Sequence, residues 1–174
     1  MLKKLGIMVA AGAALASTVF VGPSTARAAD AAHTYATYHG RVIDLAVSWE
    51  GAQACSITDL GNTCYDSERE MNANLLGDVL GLVSAVALSS CSSSLRLYDN
   101  TGFVGPMVSI STRGTFIALS SFGFSAKTSS YIVGACGAAL YDGGTLYPGN
   151  TSAGAAAASM LSGWNNRVTT AFLN

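Results

Sequence analysis

Apolar and polar residues alternate between residues 41 and 50. The apolar positions of this run are Ile43, Leu45, Val47 and Trp49. A period of two predicts a strand with one buried face. Residues 29–40, which precede it, show no clear period, and we expect them to be a flexible segment.

A hairpin is predicted directly after this strand. Cys55 and Cys64 bracket a run whose middle, residues 58–62, consists largely of turn-forming residues. Turn residues between two short extended segments favour a hairpin, and a cysteine at each end favours a disulfide clamp across it.

A helix is predicted next. Ser67 is followed three residues later by Glu70, which is the spacing of a capping box at a helix N-terminus. Apolar residues then recur at helical spacing to about residue 88, and we expect this stripe to pack on the rest of the protein. The stripe consists of Met71, Leu75, Val79, Val83 and Val86.

The first 28 residues have the pattern of a secretory signal. Lys3 and Lys4 precede an apolar stretch over residues 5–21, and Ala26-Arg27-Ala28 supplies a small-residue cleavage site. The alternative is an uncleaved membrane anchor, but Pro23 closes the stretch and Ala and Gly dilute it. We therefore expect a secreted, extracellular chain that starts near Ala29 and has no membrane segment.

Charge and cysteine content limit the kinds of protein that the chain after residue 28 can be. Six basic residues face ten carboxylates after residue 28, so nucleic acid is not an expected partner. The cysteines are even in number and lack the C-x-x-C spacing of zinc sites, which favours two disulfides. Three pairings exist, and proximity along the chain favours Cys55 with Cys64 and Cys91 with Cys136.

Catalytic residues are sparse. The two histidines, His33 and His39, lie in the segment predicted to be flexible, where a solvated histidine is the expected state. No G-x-S-x-G elbow is present, and the carboxylates at residues 66–70 are explained by helix capping. The sequence therefore predicts a protein that is not an enzyme.

Residues 91–174 change to a Ser-, Gly-, Thr- and aromatic-rich composition, which is typical of an all-β domain. Two segments repeat one pattern there. The first opens at residues 95–105 and closes at 125–133, and the second opens at 139–149 and closes at 164–173. Each begins with a predicted strand that contains an aromatic residue, and each ends with a Ser/Thr-rich segment that leads into another strand.

This repeat resembles the βγ-crystallin Greek-key motif, in which an aromatic residue precedes a glycine by seven positions on a folded hairpin and a later serine holds the hairpin. Tyr98 and Gly105 have this spacing, whereas Tyr141 and Gly149 are one residue further apart. The resemblance implies a mainly β, βγ-crystallin-like sandwich over residues 91–174. Residues 29–90 would then be an N-terminal extension that contains the flexible start, the hairpin and an amphipathic helix.

Microbial members of that family bind calcium through a stretch of the form Asn/Asp-Asn/Asp-x-x-Ser/Thr-Ser in each motif. The resemblance places these stretches at residues 165–170 and 125–130, the first of which lacks only the final serine and the second both Asn/Asp residues. Neither contains a carboxylate, so we expect calcium binding in the weak extracellular class at most. The implied ligand positions are Asn165, Asn166, Arg167, Thr169, Lys127 and Ser129. The alternative is that the hydroxyls only hold loops.

The resemblance implies a binding or stability role outside the cell and leaves two alternatives. One is a proteinase inhibitor, because a group of secreted actinobacterial metalloproteinase inhibitors shares this fold, and its partner would be an extracellular proteinase. Loops 112–116 and 142–151 are then the candidate inhibitory segments. The other is a toxin-like or cell-surface interaction protein, since fold alone does not define function.

Overall fold

The computed structural model describes residues 32–81 and 93–174, and of residues 76–81 only the backbone. The predicted signal segment and the predicted continuation of the helix beyond Gly81 lie outside the described residues. The described part is mainly β, as predicted, with one α-helix, α1 (Glu68–Gly81), and a short 3-10 helix at Leu119–Phe122. Its strands are β1 (Tyr35–Tyr38), β2 (Arg41–Asp44), β3 (Ala54–Thr58), β4 (Gly61–Tyr65), β5 (Leu95–Asn100), β6 (Val104–Ile110), β7 (Phe116–Ala118), β8 (Ser130–Ile132), β9 (Ala138–Asp142), β10 (Thr145–Leu146), β11 (Ala156–Ala157) and β12 (Thr170–Leu173).

The strands form two sheets. The first has the order β11-β8-β5-β6-β3-β4-β1-β2, and the second has the order β10-β9-β12-β7. Neighbouring strands are antiparallel except in the pairs β3/β6 and β1/β4, which are parallel. The first sheet therefore crosses the predicted boundary at residue 90, and its strands on both sides of that boundary belong to one compact unit.

The two sheets pack face to face around one core. Leu97 and Val108 of the first sheet and Leu140 and Ala171 of the second are fully buried in the same hydrophobic cluster. Successive side chains of a strand point to opposite faces of the sheet, which explains which residues enter this cluster. In β12, half-buried and buried residues alternate. Burial of these apolar side chains is the main driving force for the fold.

The prediction of a flexible segment at residues 29–40 is wrong for its described part. Strand β1 pairs with β2 through a turn at His39 and Gly40, whose positive φ angles of 48° and 73° match the twist of a tight hairpin. Ala36 and Tyr38 are buried in the core. The strand has only these two inward residues, which is too short a run for periodicity to stand out.

The strand predicted over residues 41–50 ends early, at Asp44. The Asp44 side chain accepts a hydrogen bond from the Ala46 backbone N–H at 3.0 Å, which turns the chain. Leu45 remains buried, but Val47 is 74% exposed. Local side-chain-to-backbone bonding has therefore overridden the alternating pattern.

The clamped hairpin is confirmed. Cys55 and Cys64 face each other in the β3/β4 register and form a disulfide. Cys136 is also disulfide-bonded. The cysteine predicted to pair with it, Cys91, lies outside the described residues.

The capping box at the start of α1 is confirmed in a modified form. The Ser67 hydroxyl accepts a hydrogen bond from the Glu70 N–H, while the Glu70 carboxylate accepts one from the N–H of Asp66 instead of Ser67. Met71 is fully buried beneath the helix, in a cluster with Ala54 and Met107. The helix thus covers the outer face of the first sheet. None of the helices in the described ranges is long and apolar enough to cross a membrane.

Candidate functional site

The two stretches implicated in calcium binding, residues 125–130 and 165–170, lie against each other. The Asn166 N–H donates to the Thr128 carbonyl at 3.0 Å, and the Ala126 N–H donates to the Val168 carbonyl at 2.9 Å. These bonds are reciprocal, because each joins the second position of one stretch to the fourth position of the other. The fold therefore brings the two stretches together as a hydrogen-bonded pair.

The second position of each stretch has the same unusual backbone conformation. Ala126 and Asn166 both have a φ of 56°, in the left-handed region. Asparagine tolerates this region well, whereas alanine is strained in it. The strain at Ala126 indicates that surrounding contacts impose the conformation.

One pair of predicted ligands is in direct contact. The Ser129 hydroxyl donates to Asn166 Oδ1 at 2.9 Å. Two oxygens that each lie 2.3–2.6 Å from one calcium ion are separated by roughly 3 Å when they are adjacent in its coordination shell. Ser129 and Asn166 are therefore spaced suitably for a shared cation.

The equivalent pair on the other side does not provide a second site. Ala126 has no side-chain oxygen to face Thr169. The Thr169 hydroxyl accepts a hydrogen bond from the Gly143 N–H at 3.1 Å and bonds the Tyr141 carbonyl at 3.3 Å. It therefore holds the β9–β10 hairpin, as the loop-holding alternative predicts for a hydroxyl.

Ser130 performs the same task in the first motif. Its buried hydroxyl donates to the Asn100 carbonyl at 2.6 Å and accepts from the Phe103 N–H at 3.1 Å. Both groups lie in the hairpin between β5 and β6. The serine-to-hairpin bond expected from the sequence pattern is thus present.

The charged residues near the paired stretches are not arranged as cation ligands. Arg167 donates from Nε to Asp142 Oδ2 at 2.7 Å and lies over the Trp164 ring. This ion pair occupies the Asp142 carboxylate. Asn165 and Lys127 are exposed, and the described residues contain no cluster of three His, Cys, Asp or Glu side chains that could hold a metal.

The paired stretches therefore offer two neutral side-chain oxygens, from Asn166 and Ser129, as candidate calcium ligands. Calcium affinity falls as the number of charged ligands falls.

The fourth positions of the two stretches differ in one informative way. Thr128 and Val168 are both fully buried, but the Thr128 hydroxyl has no hydrogen-bond partner among the described residues. A buried hydroxyl without a partner lowers stability by about 1–3 kcal/mol. Valine has nearly the same shape without the polar atom.

We expect Thr128→Val to raise the free energy of unfolding by about 1 kcal/mol, measured by urea denaturation. Val168→Thr is the matched control, and it should lower the same quantity by about 1–2 kcal/mol because it adds a second unpaired hydroxyl. A loss of stability in Thr128→Val as large as that in Val168→Thr would show that the Thr128 hydroxyl has a partner in solution.

The two histidines are 50% and 56% exposed, in agreement with the expectation of solvated residues, and each also contacts a carboxylate. His33 Nδ1 lies 2.5 Å from Asp44 Oδ2, and His39 Nε2 lies 2.8 Å from Asp66 Oδ1. The Tyr38 hydroxyl also donates to Asp66 Oδ1, at 2.7 Å. Hydrogen bonds from Tyr38 and His39 lower the pKa of Asp66, and the bond to Asp66 raises the pKa of Tyr38.

These contacts tie the β1–β2 turn to the start of α1. Residues 38 and 39 are far from residue 66 in the sequence, so neither periodicity nor motif spacing could reveal the cluster.

The candidate inhibitory loops differ in exposure. Loop 112–116 ends at Phe116, a largely exposed aromatic residue, whereas loop 142–151 turns Tyr147 into the core. The Tyr147 ring packs on Tyr131 and Trp164. Loop 142–151 is thereby anchored at Tyr147, while its residues 143–146 remain exposed.

The chain matches no family model, no curated protein and no solved structure with which it was compared. Its function must therefore be argued from its own fold and contacts.

Proposed function

We propose that this chain is a secreted, non-enzymatic βγ-crystallin-like protein with one weak calcium site at Asn166 and Ser129. Its role is binding or persistence outside the cell. The observation that carries the proposal is the reciprocal pairing of stretches 125–130 and 165–170, whose backbones bond in both directions and whose Ser129 and Asn166 side chains meet at 2.9 Å.

The strand order supports the family part of the proposal. A Greek key places its fourth strand beside the first, giving the order 4-1-2-3. The first motif would contain β5 to β8 and the second β9 to β12. In each set the fourth strand lies beside the first, β8 beside β5 and β12 beside β9. The third strand of each set, β7 or β11, joins the opposite sheet. The two sets thus exchange strands in the same way, as two related motifs would.

The proposed location outside the cell rests on the signal-like residues 1–28 and on the disulfides. Disulfides persist mainly in oxidising compartments. The Cys55–Cys64 bond is buried within the first sheet and is therefore a structural bond.

Thermal melts test the calcium site. At about 10 mM calcium, a dissociation constant of 10⁻⁴ to 10⁻³ M stabilises the native state by about 1.4–2.7 kcal/mol, because only the native state binds the ion. We expect the melting midpoint to rise relative to the same protein in EDTA. The same concentration of magnesium serves as the ionic-strength control.

Asn166→Gly and Asn165→Gly form a matched pair for this test. Glycine tolerates the positive φ of residue 166, so the first variant removes a ligand without adding backbone strain. Asn166→Gly should abolish the calcium-dependent rise, whereas Asn165→Gly should retain most of it. An unchanged midpoint in the native protein, or equal responses of the two variants, would contradict the assigned site.

A further inference from the structure

A small cavity of about 140 Å³ lies where the segment after β2 meets β5 and β6. It is lined by Trp49, Ala52, Asp99, Pro106, Phe124 and Lys127. Its walls are therefore mostly apolar, with one acidic and one basic side chain. Lys127 belongs to stretch 125–130, but neither Ser129 nor Asn166 lines the cavity.

The aromatic wall of the cavity is held in place. The Trp49 indole N–H donates to the Phe122 carbonyl at 2.7 Å, and its ring stacks on Phe124 with centroids 5.8 Å apart. The turn that follows has positive φ angles at Glu50 and Gly51, and the Ala52 N–H closes it on the Trp49 carbonyl at 2.9 Å. A fixed wall lowers the entropy lost on ligand binding.

A strand irregularity positions the acidic side chain. The pairing of β5 with β6 shifts register between Tyr98 and Asn100, so Asp99 lies at a bulge, and Pro106 lies in the facing part of β6. Proline lacks the N–H that a regular ladder would use there. Bulges often redirect a side chain next to a binding site.

Asp99 and Lys127 belong to the charged residues of the described ranges that form no ion pair, a group that also includes Asp59 and Glu70. Five other carboxylates in the described ranges have a basic partner. They are Asp44, Asp66, Glu50, Glu68 and Asp142. In contrast, neither Asp99 nor Lys127 forms an ion pair with any described residue, although both line the same cavity.

We propose that this cavity binds a small zwitterion, such as a free α-amino acid with an apolar side chain. Asp99 would bind the ammonium group, Lys127 the carboxylate, and Trp49, Phe124 and Pro106 the apolar side chain. Charge-assisted hydrogen bonds of this kind are stronger than neutral ones, and an ammonium group near an aromatic face is further stabilised.

The size of the cavity limits the ligand. Sites for drug-sized molecules occupy about 300–1,000 Å³, so a cavity of about 140 Å³ suits a smaller ligand. A ligand with one charge would leave either Asp99 or Lys127 without a partner. A zwitterion satisfies both.

The test uses the mature chain in EDTA, so its outcome does not depend on calcium or on the proposed function. L-valine is titrated while nuclear magnetic resonance follows the indole N–H of Trp49, with the indole of Trp164 as an internal reference. Saturable movement of the Trp49 resonance alone is expected. Isobutylamine and 3-methylbutanoate, which are valine without its carboxylate or its amine, should bind about tenfold more weakly, since each loses a charged contact.

Asp99→Asn and Lys127→Gln should each weaken L-valine binding about tenfold, and Asp59→Asn, which removes an exposed carboxylate at the β3–β4 turn, should not change it. Absence of saturable movement would overturn the proposal. Equal binding of valine and its singly charged analogues, or unchanged binding in both Asp99→Asn and Lys127→Gln, would overturn it as well.

Discussion

Replacing Tyr98 with alanine is expected to lower the free energy of unfolding by about 3–5 kcal/mol, the usual cost of removing a large buried aromatic ring. Tyr98 is only 1% exposed and packs with Met71 of α1 and Met107 of β6. It also lies edge-on to Phe103, with ring centroids 5.9 Å apart. Urea denaturation followed by circular dichroism measures the loss.

Tyr98→Phe separates the ring from the hydroxyl. The hydroxyl donates to Glu68 Oε1 at 3.0 Å, and the same oxygen accepts from Arg96 at 2.7 Å. Because the ion pair with Arg96 remains, loss of the hydroxyl should cost only about 1 kcal/mol. Equal losses in Tyr98→Ala and Tyr98→Phe would show that the ring is not packed beneath the helix.

The same hydroxyl predicts a response to alkaline pH. Burial, followed by the charge of Glu68, raises the pKa of Tyr98 to about 12 from its ordinary value of 10.0. Since the folded-state pKa is the higher one, this contribution to stability is complete below pH 10 and is lost as the pH rises to about 12. The stability of Tyr98→Phe should therefore fall less over that interval than the stability of the native protein.

Local signals in the sequence were sufficient for the clamped hairpin and the start of the helix. Cys55 and Cys64 flank a short turn, and Ser67 with Glu70 satisfies the first N–H groups of α1. Each of these features depends on residues fewer than ten positions apart. Local chemistry decides such elements largely without the rest of the fold.

Features that depend on residues far apart in the sequence could not be predicted from local signals. The strand at Tyr35–Tyr38 gains its stability from pairing with β2 and β4 and from the bond between Tyr38 and Asp66. The cavity joins Trp49, Asp99 and Lys127, which no spacing rule connects. The two Ser/Thr-rich stretches were located only through the family resemblance, and no spacing in the sequence reveals that Asn166 meets Ser129.

Replacing Gly105 with alanine is expected to cost about 2–3 kcal/mol, because residue 105 has a positive φ and the exposed Asn100 side chain must move aside. Gly105 has a φ of 82°, and a Cβ added there would lie 2.5 Å from Asn100 Nδ2 and 3.0 Å from Asn100 Cγ. Gly102 has a similar φ of 77°, but a Cβ there would meet nothing within 4 Å. Gly102→Ala should therefore show only the backbone cost of about 1–2 kcal/mol.

A double-mutant cycle identifies the cause of the difference. If the added methyl group of Gly105→Ala collides with Asn100, then Asn100→Ala should remove the collision, and the double variant should be more stable than the sum of the two single losses predicts. The expected coupling is about 0.5–1 kcal/mol in the stabilising direction, because the exposed Asn100 side chain can partly rotate away. Additive losses would instead show that the whole loss of stability comes from the backbone conformation of residue 105. In that case Gly105→Ala should be no worse than Gly102→Ala, and the close approach of Asn100 to the hairpin would not hold in solution.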